Sequence, residues 1–447
     1  MRIIGKGRSF LERNEKFVTE ALARELPPLW IQEALQESGK ESIRNRRLPA
    51  DMTVWMVVLL GLFRRVSYVN LLEKLVGTVW TRRHWDSDGP PSSTALTKAR
   101  DRIGVQPLRL LYERSAQEWI SSTQGWCLHG RRVYALDGKT LKTPDTPKNS
   151  LHWKRPGASR GQSAFPQMRA VCLSDVGTRL TCGIRYASYR SSEVMLCRQL
   201  LSAIQPGSIV TKDRNFGAYD VLWDIVHQRG ADFIVRLKKN IKPRVLKRLR
   251  KGDEIVEVEI PRSYRRTRPD IPRIWRLRLI TYVPKGGKEE IRILTSLTNK
   301  KFTKKELIEC YRWRWEEETV TDEIKTHLLD GATVNRAVSF RSWTPERVEQ
   351  ELYGILIGFN VVRKIMVEAA KEVKVSPLRI SFVSALERLR EAIAEMGRLP
   401  TVHLPFRYKQ MLTAIGRIQV PRRPERRNPR EVKIKMSNYP LKRRKVA

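Results

Sequence analysis

The sequence predicts an α/β protein with a mixed sheet and helices packed on it, an all-α segment before the sheet, and a β-rich insertion within it. Three observations predict this arrangement. Apolar residues recur at helical spacing up to about residue 125, short β-prone runs alternate with helical ones from residue 131, and hairpin-like runs occupy residues 238–300. The order from residue 131 is β-β-β-α-β-α-β, which is typical of a mixed sheet covered by helices.

One short helix in the N-terminal segment has a polar surface. In PPSSTALTKARDRIG, Ser92 or Ser93 can cap a helix that runs from about Thr94 to Ile103, and Gly104 can end it. The side chains that project from this helix are Thr97, Lys98, Arg100 and Arg102. Its size and polarity fit a helix that enters the major groove of DNA, and they fit a solvated amphipathic helix equally well.

Two aspartates lie in the strand-rich region. The run RVYALD is β-prone and ends in Asp137, and GSIVTKD is a further predicted strand that ends in Asp213. We therefore expect both residues where a strand gives way to a loop, which is the usual place for ligands in open α/β sheets.

The charge of the chain indicates a polyanionic partner. Lys and Arg number 87 against 47 Asp and Glu, a formal net charge of +40 at pH 7. Such an excess repels itself in a compact fold unless a polyanion is present, and nucleic acid is the commonest one. The five cysteines include no CxxC pair, which indicates neither a zinc ribbon nor a disulfide framework. The longest apolar run, residues 54–63, is too short to span a bilayer, so no membrane association is expected.

Asp137, Asp213 and Glu318 together fit a site for two divalent cations. Magnesium prefers a few carboxylates plus water and phosphate oxygens, and two ions roughly 4 Å apart can activate a water and stabilise the leaving oxygen of a phosphodiester. Each acid alone has an ordinary explanation, namely a turn at Asp137-Gly138, a helix cap at Asp213 and solvation among three consecutive glutamates at Glu318. Their combination, in this strand order and charge background, favours a metal site.

The helix predicted around Glu318 carries a polar stripe. The stripe consists of four residues spaced by three, four and seven: Tyr311, Arg314, Glu318 and Lys325. These intervals place all four on one face of a continuous helix. Such a face is poor core material and suits a surface that grips phosphates beside a metal ligand. Trp313 and Trp315 lie on the same helix, where core packing is the more common fate and stacking on an exposed base is the alternative.

The spacing Tyr311-x2-Arg314-x3-Glu318-x6-Lys325 resembles the signature of the bacterial insertion-sequence DDE transposases of the fourth family, the branch with a Y-R-E-K helix and a β insertion before the catalytic glutamate. LPADMTVWMVVLLGLFRRVSYVNLLEKL and PSSTALTKARDRIG resemble the N-terminal domain of that family. ALDGKTLKTPDTPKN resembles its first-aspartate motif, and QSAFPQMRAVCLSDVGT and DRNFGAYDVLW resemble the segments around its second aspartate. The resemblance covers residues from about 30 to 430.

The resemblance implies an RNase H-like core in which Asp137, Asp213 and Glu318 hold two Mg²⁺ ions, with Mn²⁺ as a substitute. It implies that the following residues contact transposon-end DNA: Tyr311, Arg314, Lys325 and Arg236. In such enzymes water cuts one strand at the element end, the freed 3′-OH forms a hairpin on the opposite strand, and the reopened end is joined to target DNA. A base flipped at the hairpin stacks on a Trp, for which Trp315 is a candidate and Trp275 a weaker one.

The resemblance also implies partners and an organisation along the chain. The partners are double-stranded DNA, both terminal inverted repeats and target, and a second copy of the chain in a homodimer that pairs two ends. A bacterial or archaeal protein at the nucleoid in the cytoplasm is expected. The predicted segments are an N-terminal helical DNA-binding domain (1–125), the first part of the core (126–237), the β-rich insertion (238–300), the second part of the core with the Glu318 helix (301–400) and a basic C-terminal tail (401–447).

Three positions depart from the family pattern. Asn215-Phe216 replace the aromatic-glycine pair that is usual after the second aspartate's Arg, Glu317 stands where an aliphatic residue is frequent, and Val320-Thr321 replace a phenylalanine-lysine pair. The three acids themselves are retained.

Three other functions are weighed against a transposase. A tyrosine recombinase with Tyr311 as nucleophile needs Arg and His clustered around the phosphate, and the chain has only six histidines in all. Cleavage in EDTA would favour this recombinase. A catalytically degenerate, transposase-derived DNA-binding protein would bind ends without cutting them. An RNase H-like nuclease or resolvase would cut DNA and never join it.

Overall fold

The computed structural model describes residues 20–42, 48–64, 66–68, 70–71, 91–158, 161–213, 217–284, 289–329, 339–396 and 399–421. Most of the predicted helix at VNLLEKLV lies outside these residues, and so does the part of the predicted tail after residue 421. The described α-helices are α1 (Glu20–Glu25), α2 (Pro28–Glu37), α3 (Ala50–Leu62), α4 (Ser93–Ile103), α5 (Gln106–Ser121), α6 (Pro147–Trp153), α7 (Glu193–Leu200), α8 (Tyr219–His227), α9 (Arg262–Thr267), α10 (Lys304–Arg312), α11 (Trp315–Asp322), α12 (Pro345–Glu372), α13 (Phe382–Met396) and α14 (Leu404–Arg417). The described strands are β1 (Cys127–Leu128), β2 (Arg131–Lys142), β3 (Gly157–Ala158), β4 (Gly161–Gln162), β5 (Gln167–Asp175), β6 (Thr181–Ser188), β7 (Ile209–Lys212), β8 (Asp232–Arg236), β9 (Arg244–Arg250), β10 (Asp253–Glu259), β11 (Ile274–Tyr282) and β12 (Ile291–Thr295).

The chain divides into two compact units. Unit 1 comprises residues 1–123, 141–168 and 322–447, and unit 2 comprises residues 124–140 and 169–321. By compactness, the helices before residue 124 therefore group with those after residue 321. The five predicted segments, which describe the order along the chain, stay a prediction.

Unit 2 is built on one large mixed sheet, as the sequence predicts. Its strand order within the described residues is β6-β5-β2-β7-β8-β12-β11-β10-β9, with β1 paired to β2. The β2–β7 and β7–β8 pairs are parallel, whereas β8–β12 and the pairs that follow it are antiparallel. The β-rich insertion thus continues the central sheet through β12. Strand β9 and helix α9 were not predicted, because their Arg-rich sequences show no clear periodicity of apolar residues.

Apolar side chains cover both faces of the central strands of unit 2. Along β2, Tyr134 and Leu136 belong to one buried cluster, and Val133 and Ala135 to another. Strands β7 and β8 alternate in the same way, because successive side chains of a strand point to opposite faces. The second cluster also contains Tyr311 and other residues of α10. Helix α10 therefore packs on the face to which odd-numbered residues of β2 and β7 point.

Unit 1 is helical, with α3 and the long α12 at its centre. Helix α3 is apolar on all sides, and nearly all of its residues are buried, which is expected of a helix that is surrounded by others. It crosses α12 at two glycines. A Cβ on Gly61 would lie 2.4 Å from the Gly354 carbonyl oxygen, and a Cβ on Gly354 would lie 2.5 Å from the Val57 carbonyl oxygen. Only glycine allows the two backbones to approach this closely.

We expect Gly354→Ala to destabilise the protein by about 1–3 kcal/mol, because the added methyl forces the two helix backbones apart. Urea unfolding followed by far-UV circular dichroism measures this loss. Gly157→Ala is the matched control, since a Cβ there meets no atom within 4 Å. An unchanged unfolding midpoint for Gly354→Ala would show that the helix crossing can accommodate the added methyl group, which would contradict the prediction.

The structure confirms some predicted boundaries and corrects others. Helix α4 begins after Ser92, whose side chain accepts a hydrogen bond from the Ala95 N–H, and ends at Gly104 with φ of 65°. Strand β2, by contrast, does not end at Asp137 but continues to Lys142, so Asp137 lies within the strand. The predicted tail begins with a helix, α14, whose buried residues recur at helical spacing among basic ones: Tyr408, Met411, Leu412 and Ile415.

Candidate metal and nucleic-acid site

Three neighbouring strands bring Asp137, Asp213 and Arg236 to one edge of unit 2. In the parallel register Leu136 pairs with Lys212, and Lys212 pairs with Val235. The next residue along each strand is Asp137, Asp213 and Arg236, respectively. Adjacent strands lie about 4.8 Å apart, so the two aspartates are neighbours. All three share the parity of the residues that face α10.

Asp137 is a half-buried acid in a strongly charged environment. Its Oδ1 accepts a hydrogen bond of 2.9 Å from the Gly138 N–H. Burial raises the pKa of Asp137 above its ordinary value, and the negative charge of Asp213 adds to this rise, whereas the Gly138 hydrogen bond, Lys139 and Arg314 act to lower it. Two carboxylates that repel each other at this distance are a natural site for a cation.

Helix α10 carries Tyr311 to the same face. A capping box fixes its start, since the Thr303 side chain accepts from the Glu306 N–H and the Glu306 side chain accepts from the Thr303 N–H. Leu307 and Tyr311 are buried in the cluster that covers this face. Burial raises the pKa of Tyr311 to about 12, and Arg314, Asp213 and Arg236 also act on it. Tyr311 is therefore a neutral phenol at pH 7, close to Asp213.

The helix that carries Glu318 is interrupted, which corrects the predicted continuous stripe. Helix α10 ends at Arg312, α11 begins at Trp315, and residues Glu323–Leu329 form a π-helix. A stripe spaced for an unbroken α-helix therefore does not extend from Tyr311 to Lys325. The turn between α10 and α11 buries Arg314, and its Nη2 donates to Glu318 Oε1 at 3.2 Å.

Arg314 links the three acids. Burial alone would lower the pKa of its guanidinium, but Tyr311, Glu318 and Asp213 raise it, so the side chain keeps its positive charge. The positive charge of Arg314 also acts to lower the pKa of Asp137. Arg314 thus contacts Glu318 and is close enough to Asp137 and Asp213 for its charge to interact with theirs.

The three acids offer oxygen ligands only, and this donor set fits a hard divalent cation such as Mg²⁺ or Mn²⁺. As the side chains stand, no group of three His, Cys, Asp or Glu within the described residues could hold a metal ion. The Glu318 carboxylate, with its side chain one-third exposed, is bound to Arg314.

The other two glutamates of α11 are also paired, which the sequence did not reveal. Glu317 has a fully buried side chain, and its Oε1 accepts from the Lys139 ammonium of β2 at 2.9 Å. Glu316 accepts from Arg179 Nε at 2.5 Å in the turn between β5 and β6. The prediction that the three glutamates could all be solvated is wrong for Glu317, because its partner is distant in sequence.

The tryptophans predicted to meet DNA differ in exposure. Trp315 is 44% exposed, and the Arg314 guanidinium lies 5.5 Å from its ring centroid. Trp313 stacks on Trp126 with ring centroids 5.1 Å apart. Trp275 is buried against Trp223 at 5.2 Å. The assignment of Trp275 to a flipped base is therefore corrected, since its ring is part of the core.

The basic residues of unit 1 are similarly divided. The Arg100 guanidinium donates to Gln350 Oε1 at 3.0 Å and to the Arg347 carbonyl at 2.8 Å, so it ties α4 to α12 and is not a free DNA contact. Arg102 is exposed and donates to the Leu48 carbonyl. Lys98 is exposed and Thr97 half-buried. Lys325 is half-buried in the π-helical segment.

This chain is similar to known families and proteins. Residues 128–360 match the family model described as "Transposase DDE domain", and residues 18–113 match "Insertion element 4 transposase N-terminal". The chain is 28% identical to "Transposase InsG for insertion sequence element IS4" of Escherichia coli (strain K12) over 93% of this chain and 92% of that protein. It is 29% identical to "Putative transposase InsZ" of the same organism over 57% of this chain and 87% of that protein.

A more distant likeness was found among solved structures. The "Cryo-EM structure of piggyBac transposase synaptic complex with hairpin DNA (SNHP)" matches with a TM-score of 0.42 and 13% identity over 90% of this chain and 84% of that chain. This similarity is too low to support an inference. Separately, none of the helices in the described ranges combines the length and apolarity that a membrane crossing requires.

Proposed function

This chain belongs to the IS4 family of DDE transposases and is a DNA transposase that uses divalent metal, and from this premise we propose that Asp137, Asp213 and Glu318 hold two Mg²⁺ ions at the cleavage site. The single observation that carries the proposal is the register of β2 and β7. Asp137 and Asp213 follow paired residues of β2 and β7 on the face that α10 covers, and Arg314, which comes just after α10, donates to Glu318. The mixed sheet of unit 2 and the helices packed on it are consistent with an RNase H-like core.

The roles of the chain's own residues follow from their positions. Bound divalent ions would activate the attacking water or 3′-OH and stabilise charge on the scissile phosphate. Asp137 and Asp213, which follow neighbouring paired strands, would hold the ions together with Glu318. Arg314 and Arg236 border the aspartates and can grip non-bridging phosphate oxygens, because a guanidinium offers a planar pair of donors. Tyr311 can donate to the same phosphate as a neutral phenol.

The proposed reaction is cleavage at the terminal inverted repeats, hairpin formation on the opposite strand and transfer of the reopened end to target DNA. We propose that two copies of the chain pair two ends and that Trp315 receives a flipped base at the hairpin. The exposure of Trp315 and its place beside Arg314 support this role. The site of action would be the nucleoid in the cytoplasm of a bacterium or archaeon, where the DNA lies.

A second candidate is a transposase-derived protein that binds DNA without cutting it. The observation that favours it is the pairing of Glu318 with Arg314 and the lack, among residues whose placement is described, of three ligands set for a metal. In the proposed enzyme, phosphate oxygens of the bound end replace Glu318 as the partner of Arg314, so that the carboxylate can bind a metal ion.

A plasmid that carries the element with its flanking repeats distinguishes the candidates. With purified protein and Mg²⁺ or Mn²⁺, we expect excision products with hairpin ends, and with EDTA we expect none. Bound but uncut ends in Mg²⁺ would favour the inactive DNA-binding protein. Cut ends that never join a target would favour a nuclease or resolvase, and cleavage in EDTA would contradict metal catalysis altogether.

A further inference from the structure

We propose that the buried ion pair between Lys139 and Glu317 positions the two backbone segments that carry the metal ligands Asp137 and Glu318. This inference rests on the proposed function and deepens it, since it names residues that act through the ligands and do not touch the metal. Lys139 and Glu317 are therefore positioning residues and not catalytic ones.

The place of each partner supports the proposal. Lys139 follows Asp137 by two residues in β2, so both side chains point to the same face of the sheet. Glu317 precedes Glu318 in α11. The pair thus joins the strand of one ligand to the helix of another, one or two residues from each, and its Nζ–Oε1 distance is 2.9 Å.

Because the pair is buried, its hydrogen bond restricts the orientation of both side chains. The Lys139 side chain is 6% exposed and that of Glu317 is not exposed at all, so water cannot replace either partner. An apolar pair of similar volume could fill the same space, and buried ion pairs are often replaceable in this way without loss of stability. Apolar contacts, however, tolerate sliding and rotation that a short hydrogen bond between two charged groups does not.

A second tether acts on the same helix turn. Glu316 accepts from Arg179, which lies after β5, the neighbour of β2 in the sheet. Arg179 has φ of 61°, a left-handed backbone that a residue with a Cβ rarely adopts. Two consecutive glutamates therefore fasten α11 to two adjacent parts of unit 2, and the next residue is the ligand Glu318.

Manganese binding separates positioning from folding. We expect wild-type protein bound to its end DNA to bind two more Mn²⁺ ions than the DNA alone, as measured by electron paramagnetic resonance. The double variant Lys139→Met/Glu317→Leu should keep the wild-type Tm and bind Mn²⁺ about 10- to 100-fold more weakly, the loss typical of removed outer-shell partners. Lys139→Arg, which keeps the pair, should stay close to wild type. The matched control is Arg273→Met/Glu259→Leu, which removes an exposed pair with 69% and 65% side-chain exposure and should change neither quantity.

The outcomes are distinct. If the double variant keeps both its Tm and its Mn²⁺ affinity, the pair serves only folding and the inference is overturned while the proposed function stands. If wild-type protein bound to its end DNA takes up no Mn²⁺ beyond that bound by the DNA alone, the proposed function fails and the inference fails with it. Should the double variant not fold, Glu317→Gln removes the charge of the pair with little change in side-chain volume. A folded Glu317→Gln protein should bind Mn²⁺ about tenfold more weakly, and unchanged affinity would contradict the inference.

Discussion

Asp137→Asn is expected to slow strand cleavage by roughly a thousandfold, because the loss of a shared metal ligand removes on the order of 4 kcal/mol of transition-state stabilisation. Asp213→Asn and Glu318→Gln should have effects of similar size. Single-turnover cleavage of a labelled end in Mg²⁺ measures the rate. Affinity for the same DNA should change little, since it comes from many Lys and Arg contacts to phosphate.

Two controls make this prediction specific. Glu309→Gln removes one negative charge from an exposed position of α10 and should leave the cleavage rate unchanged. Affinity measured by gel shift in Ca²⁺ shows whether each variant still binds the end. Loss of binding in a well-folded Asp137→Asn protein would contradict the metal-ligand role, as would a rate close to that of wild type.

Glu351→Ala is expected to destabilise the protein by about 3–5 kcal/mol, because it leaves the buried Arg64 guanidinium without its counter-charge. Glu351 forms an ion pair with Arg64, whose side chain is 1% exposed. Its oxygens also accept from the Arg341 N–H at 2.9 Å and from the Ser342 hydroxyl at 2.6 Å. Denaturant unfolding at pH 7 measures the loss. Glu346→Ala, an exposed acid of the same helix, should cost about 1 kcal/mol or less.

The same site gives the sign of a pH effect. Burial would raise the pKa of Glu351, but Arg64, Ser342 and Arg341 overcome it and lower the pKa from 4.5 to about 2. A carboxylate with a depressed pKa in the folded state stabilises the fold above its unfolded pKa, and this stabilisation is lost as the pH falls from about 4.5 to about 2. The wild-type protein should lose on the order of 3 kcal/mol in that window from this group. An equally steep loss in Glu351→Ala would assign the effect to other acids.

Local sequence predicted the parts of the fold that local forces set. The Ser92 cap and Gly104 end of α4 need only a few neighbouring residues. The mixed sheet followed from the order of β-prone and helical runs. The end of β2 was misplaced because Asp-Gly is also a good turn dipeptide, and nothing local shows that the strand continues to Lys142 although its pairing with β7 ends at Leu136.

The sequence predicted the acidic residues of the candidate site, but it did not predict the ion pairs and hydrogen bonds around them. Asp137 and Asp213 could be found because acids at the edge of apolar strands need a reason to be there. The partners of Glu317 and Arg100 could not, since each pairs with a residue far away in the sequence. From sequence alone, a charged residue is interpreted as solvated or as a DNA contact, because its partner within the fold is not known. Trp275 failed for a related reason, because strand alternation alone does not tell which face of β11 is covered.

Anomalous diffraction from crystals of the protein with its end DNA and Mn²⁺ tests the metal site most directly. Two manganese peaks are expected, with Asp137 as the shared ligand and with Asp213 and Glu318 each on one ion. Glu318 should then have left Arg314. Peaks at other acids, or a Glu318 carboxylate that stays on Arg314 while the DNA is cut, would contradict the assignment of these three residues.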